Sequence, residues 1–344
     1  MKFRYRLPGT GQYATPDTAA FPAGWKRACL VVLAALLAPP VSWAEGQDFP
    51  KVSVSIAPIH SWVSQVSGDL WAPELLLSAQ VDPHNALLRP SQRRLVEEAD
   101  WVVWAGPQLE AGLQPLVSRI DAERRWTMTD SDVDLVLHEF REAGTLFATP
   151  QDDDDDHMPD IDFPGGDAPA NAHRSGADPH LWLDPDNARK AFGYIATRLS
   201  ELDPEHADTY QANAEQAVAA LEEDVADWEA RLAEADIRPY VVFHDGYQYF
   251  DRRFGIPFAG AVTLNPEQLP GLRTVNEMRQ AMAGEAVGCL FAEVQYPDRL
   301  VQAIGSGFGL EIRRLDALGA DIEPGPDHYR ELMTRLVDNF TECT

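Results

Sequence analysis

The chain has 344 residues, 45% hydrophobic and 24% charged, a globular composition that excludes a disordered or fibrous chain. Its 28 Lys+Arg against 55 Asp+Glu give a net charge of −27. So acidic a surface repels nucleic acid and anionic membranes and attracts cations.

Residues 1–44 read as a secretory signal peptide. Lys26-Arg27 precede an apolar run from Ala28 to Pro40, and Ser42-Trp43-Ala44 place small residues at the −3 and −1 positions of a cleavage site after Ala44. The run is too short to span a membrane. Cys29 leaves with the signal. Two cysteines remain, Cys289 and Cys343, and an even pair in an exported chain predicts a disulfide. Without the 5 basic and 1 acidic residues of 1–44, the exported part keeps 23 and 54, a net charge of −31.

The exported part opens with an alternating strand, Val52 to Ile56. A helix from Ile59 to Ser67 follows, then a strand from Glu74 to Leu77. Ser91 to Ala99 reads as a helix with Ser91 at its N-cap. Trp101-Val-Val-Trp104 is a buried strand, and Leu109 to Ile120 a helix. Residues 150–178 interrupt this alternation with the Asp152–Asp156 run and a Pro/Gly/Asp-rich stretch, an acidic loop that no core can hold. His180-Leu-Trp-Leu183 reads as a short strand, and Asp184-Pro185 starts a helix to Leu202. Pro204 starts the longest helical pattern, to Ala235, with Ala214, Ala217, Val218, Leu221, Val225, Trp228 and Leu232 at three- and four-residue spacing.

Alternation then resumes. Strands are expected at 240–243, 287–292 and 311–315. Helices are expected at 246–254, 274–283, 299–307 and 327–339. Strands alternating with helices predict parallel sheets. The fold class is therefore α/β: two lobes with parallel-sheet cores flanked by helices, 45–203 and 237–344, joined by one long rigid helix over 204–236. The cleft between lobes, at strand carboxyl ends, is the expected ligand site.

Three histidines point to that cleft. His84 follows Pro83, His180 follows Asp178-Pro179, and His244 ends the strand 240–243. The prolines stiffen the attachment of the first two imidazoles. Together the three would suit a borderline-soft divalent metal. Asp316, after strand 311–315, is placed to add a carboxylate; the plain alternative is a cap or loop hydrogen bond. His60 reads as a cap or packing residue, and His138, His206 and His328 as surface.

Several segments resemble one family. They are Leu88-Arg89-Pro90-Ser91, Glu98-Ala99-Asp100 through Gly106 to Glu110, His180-Leu-Trp-Leu-Asp-Pro, Phe243-His244-Asp-Gly-Tyr, Phe291-Ala-Glu293 and Leu315-Asp-Ala-Leu-Gly319. In this order they are similar to the zinc-binding (ZnuA-type) solute-binding proteins of ABC transporters. The resemblance implies two lobes around a rigid helix and one metal in the cleft. It implies a periplasmic, typically monomeric protein, not an enzyme, that passes its ion to an inner-membrane permease. It puts the ligands on His84, His180 and His244, with Asp316 or water in the fourth position. Histidine at 244, where manganese-type relatives have a carboxylate, favours Zn2+. The acidic loop matches in position, with His157 and His173 as weak ligands. Asn85-Ala86 stand where the family has an aromatic residue. The weighed alternatives are a manganese- or iron-binding relative, an adhesin, and a zinc hydrolase with Glu293 or Asp316 as base; the chain has no His-Glu-x-x-His.

Overall fold

The computed structural model describes residues 49–141 and 176–263, then 279, 280, 282, 287–296, 298–306, 309, 310 and 312–343. The expected signal segment, His157, His173 and seven of the ten residues of the expected helix 274–283 lie outside the described residues.

Two four-stranded parallel sheets organise the chain. The first has β1 (Val52–Val54), β2 (Glu74–Leu75), β3 (Trp101–Trp104) and β4 (Arg125–Thr127), in the order β2-β1-β3-β4. The second has β5 (Tyr240–His244), β6 (Phe258–Thr263), β7 (Cys289–Glu293) and β8 (Ile312–Leu315), in the order β6-β5-β7-β8. The inner strands β1, β3, β5 and β7 are buried along their whole length, as their near-continuous apolar runs require in a parallel sheet covered on both faces. β4 and β6 escape a reading by pattern. Each is an edge strand, and Gly260 and the alanines of β6 carry little strand preference.

Helices α1 (Ala57–Ser67), α2 (Pro90–Glu98) and a single turn α3 (Gln114–Val117) accompany the first sheet. α2 starts at Pro90 rather than Ser91. Proline suits a first helical position, and Gln92 Oε1 accepts the Arg89 backbone N–H at 2.7 Å. The expected helix 109–120 shrinks to α3. A Cβ at Gly112 would stand 2.1 Å from the Ala86 carbonyl oxygen, so the chain passes there too closely for an ordinary helix surface. Leu181–Leu183 is a 3-10 turn rather than a strand. Asn187 Nδ2 donates to the Leu181 carbonyl at 2.9 Å, and Trp182 Nε1 to the Ala317 carbonyl at 2.7 Å, so the segment bonds to a helix and a loop instead of a sheet.

α4 (Pro185–Leu202) is N-capped by Asp184, whose Oδ1 accepts the Asp186 N–H at 2.9 Å. After a turn at Pro204–His206 comes α5 (Ala207–Glu234), whose 28 residues span ~40 Å at about 1.5 Å each. α5 lies against α1 and α4 and against α8 (His328–Thr341). Trp228 Nε1 donates to Thr334 Oγ1 at 3.1 Å, and Arg231 pairs with Asp338. α6 (Gln248–Phe254) and α7 (Asp298–Gly305) complete the described helices.

One apolar core runs without interruption from Val54 and Trp101 to Phe291, Leu315 and Phe340, and a smaller cluster under α7 covers the far face of the second sheet. Ser61 on α1 donates to the Pro326 carbonyl at 2.8 Å and accepts the Tyr329 N–H at 3.1 Å. Tyr329 Oη donates to the Trp182 carbonyl at 2.9 Å. His328, expected at the surface, is fully buried in this seam, with Nε2 2.8 Å from the Leu318 carbonyl.

A disulfide joins Cys289 at the start of β7 to Cys343. Its partners lie 54 residues apart. Closing a loop of that size removes unfolded-state entropy worth about 4 kcal/mol. Reduction, or Cys289→Ser with Cys343→Ser, is expected to lower stability by up to about that amount in urea titration. Neither cysteine lies beside His84, His180 or His244, so the cleft is expected to keep its shape in the folded protein. An unchanged midpoint would count against the argument.

Candidate metal centre

In the second sheet the strand order reverses between β5 and β7, and ligands of open parallel sheets sit at the carboxyl ends of such a pair. Both strands end in functional groups there. The register pairs Tyr240 with Cys289 and Val242 with Phe291, so the last residues, His244 and Glu293, come side by side. Glu293 accepts the His244 backbone N–H at 3.0 Å and His244 Nδ1–H at 2.7 Å. Tyr247 Oη donates to the same carboxylate at 3.0 Å. A carboxylate only accepts, so the His244 proton sits on Nδ1 and the lone pair on Nε2.

His180 arrives from the loop before the Leu181–Leu183 turn and repeats the arrangement. Asp178 Oδ1 takes its backbone N–H at 3.1 Å and Nδ1–H at 2.7 Å. Gln248 Nε2 donates to the other Asp178 oxygen at 3.0 Å. Burial works to raise the Asp178 carboxyl, but the His180 ring and these donors hold it below the usual carboxylate range. His84 sits in a 3-10 turn, Pro83–Asn85, where Asp82 Oδ1 accepts its backbone N–H at 3.0 Å.

The fold brings the three histidines together. One ring nitrogen of each of His84, His180 and His244 lies within 4.8 Å of the others. His180 and His244 are only 3% and 4% exposed, while His84 is partly open to solvent. The Nε2 atoms of His180 and His244 stand 3.2 Å apart. With both Nδ1 atoms committed to carboxylates, two lone pairs face each other, an arrangement that a shared cation or proton relieves. The surrounding walls, Pro83, Leu109, Trp182, Tyr296, Ala317 and Leu318, are mostly apolar. Three imidazole nitrogens in such walls suit a borderline-soft divalent ion better than one that prefers oxygen.

Asp316 stays out of this group. It follows β8, which β7 separates from β5, roughly two strand spacings of about 4.8 Å away. Its oxygens are taken up locally. Oδ1 accepts from Leu318 N at 2.9 Å, Gly319 N at 3.0 Å and Gln295 Nε2 at 3.1 Å, and Oδ2 accepts from Ala320 N. Asp316 thus shapes the loop that carries Ala317 and Leu318. His60 is a packing residue, with Nε2 3.0 Å from the Pro73 carbonyl, and is not among the clustered histidines. Of the carboxylates that hold the His180 and His244 rings, sequence pattern assigns Asp178 no role and casts Glu293 only as the base of the hydrolase alternative, not as the partner of His244. Asp178 is signalled locally by its place two residues before His180. Glu293 becomes visible only once β5 and β7 are paired in register.

Residues 52–343 match the model of the family described as "Zinc-uptake complex component A periplasmic". The chain belongs to this family. It is 32% identical over 306 residues to the high-affinity zinc uptake system protein ZnuA of Brucella abortus (strain 2308), covering 85% of this chain and 91% of the relative. It is 34% identical over 308 residues to ZnuA of Paracoccus denitrificans (strain Pd 1222), covering 86% and 92%. A crystal structure of ZnuA superposes with a TM-score of 0.66 at 22% identity, covering 86% of this chain and 99% of that one. A Pseudomonas aeruginosa solute-binding protein, FpvC, in complex with Mn2+ superposes equally well, at a TM-score of 0.67 and 21% identity over 86% and 98%. The shared fold therefore does not choose the metal; the donors do.

Proposed function

We propose that this protein is the periplasmic zinc-binding component of an ABC transporter, which captures Zn2+ at His84, His180 and His244 and delivers it to an inner-membrane permease. The observation that carries this reading is the convergence of three imidazoles, two of them buried and locked by carboxylates so that Nε2 faces the ion. Water, rather than Asp316, takes the fourth position. Residues 1–44 act as the export signal, cleaved after Ala44. The N-terminal lobe then runs over 45–203, the linker helix over 204–236 and the C-terminal lobe over 237–344, in a monomer. Among the described residues no helix is long and apolar enough to cross a membrane.

The acidic surface gathers cations, and His84 meets the ion first because it alone of the three is partly exposed. Release runs through the His84 turn. The lobes share one core and are stitched by Ser61, Trp182 and Tyr329, so a wide hinge opening would break buried packing. A movement of the Pro83–Asn85 turn, next to the 81% exposed Leu87, is instead local and leaves Ser61, Trp182 and Tyr329 in place. Capture rather than catalysis fits Glu293, whose oxygens are occupied by His244 and Tyr247 and are not offered to a metal-bound water.

The test is metal content and competition among zinc, manganese and iron on residues 45–344 at neutral pH. One zinc per chain, held well above the others, is expected. Equal preference for manganese would overturn the zinc assignment.

A further inference from the structure

The turn after His244 holds a buried cation, Arg141, that is not among the three clustered histidines. Arg141 is 11% exposed, and its guanidinium divides between two carboxylates, Asp245 and Asp251, themselves 4% and 5% exposed. Its flat face lies 3.7 Å from the centroid of Phe258 on β6. Asp251 also accepts from Tyr240 Oη, at the start of β5, at 2.7 Å. Asp245 directly follows His244, and its backbone N–H donates to the Thr263 carbonyl at 3.2 Å.

The segment that delivers Arg141 also braces the other buried ligand. The His138 carbonyl accepts the Asp178 N–H at 2.7 Å, and the Glu139 carbonyl accepts from Gln248 Nε2 at 3.0 Å, the same nitrogen that holds Asp178. Residues 138–141 therefore touch the supports of both His180 and His244. These two rings must keep their Nε2 atoms a fixed short distance apart while neither chain segment is close to the other in sequence.

We propose that Arg141 is a positioning residue for metal capture. Its fork fixes the turn after His244, and with it the separation of the His244 and His180 donor nitrogens. The physical reason is the charge on that turn. Without a cation, Asp245 would stand buried near Asp178 and Asp251 with like charge. It would then turn towards water and carry the His244 backbone with it. A planar fork can hold Asp245 and Asp251 at once; a single ammonium cannot reproduce that geometry.

This inference rests on the zinc-capture reading. The test compares wild type with Arg141→Lys and with the charge-free triple variant Arg141→Leu, Asp245→Asn, Asp251→Asn, which keeps the protein foldable should the lysine variant fail. Zinc competition titrations, the Co2+ d–d absorption of the loaded protein and the melting temperature without metal are measured. Both variants are expected to weaken zinc by roughly 10–100-fold, as for other outer supports of a metal site, and to shift the Co2+ bands. Arg141→Lys placed on His244→Ala adds no further loss, because its effect passes through His244. Wild-type affinity and Co2+ spectrum in folded variants, with only the melting temperature lowered, would make Arg141 a structural brace and overturn the proposal. Failure of the capture reading looks different, since wild type itself would then not hold zinc.

Discussion

His244→Ala is expected to abolish high-affinity zinc binding while leaving a folded protein. The substitution removes one of three nitrogens that lie within 4.8 Å of one another. Loss of an outer support alone typically weakens a metal site by roughly 10–100-fold, so loss of a ligand must exceed that range. Glu293 keeps its bonds from the 244 backbone N–H and Tyr247 Oη, so the buried carboxylate is not orphaned. That is why the fold should survive. His60→Ala is the matched control. It removes another buried histidine, bonded to the Pro73 carbonyl and outside the three-histidine cluster. It should cost about 1–3 kcal/mol of stability and leave zinc affinity untouched. Competitive zinc titration with circular dichroism of both variants checks this. Zinc held normally by His244→Ala would mean that the ligand set is wrong.

The sequence shows the centre well where the signal is local. Pro83 and Pro179 beside their histidines, and His244 at the end of an apolar run, single out the three histidines that the fold brings together. The long helix is legible because its three- and four-residue spacing persists through α5. What the sequence hides is set by neighbours. Leu181–Leu183 has a strand's composition, yet its partners are Asn187 and Ala317, so it turns. Asp316 follows a strand as a ligand would, but only the sheet order shows that β7 stands between it and His244. His328 lies among charges in the chain and packs against the Asp316 loop in space. Glu293 and Arg141 are 49 and 103–104 residues from the groups they orient, distances that the parallel register and the 138–141 segment close.

Acidification is expected to strip the metal, beginning at a higher pH than an ordinary histidine would set. Burial opposes a charge on His244, but the Glu293 carboxylate and its hydrogen bond, helped by Asp245 and Asp82, outweigh it and lift the His244 pKa above 6.5. Nδ1 already donates to Glu293, so the added proton goes to Nε2, the atom the ion needs. Protonation and metal binding therefore exclude each other. For the metal-free protein the raised value contributes stability that is complete below the ordinary pKa and fades as pH rises through the raised one. The loaded protein has no such gain, so falling pH favours the empty form. Each imidazole that must shed a proton adds up to about one log unit of affinity loss per pH unit. Titration from about pH 8 to about pH 5 should thus show affinity falling by up to about one order of magnitude per pH unit once the pH is below the raised His244 value. Glu293→Gln gives the decisive contrast. Removing the carboxylate charge takes away the upward pull on His244, so the acid edge moves to lower pH, while affinity at the alkaline end drops roughly 10–100-fold because the ring is less firmly held and less basic. An acid edge that does not move in Glu293→Gln would show that His244 does not govern release of the ion at low pH.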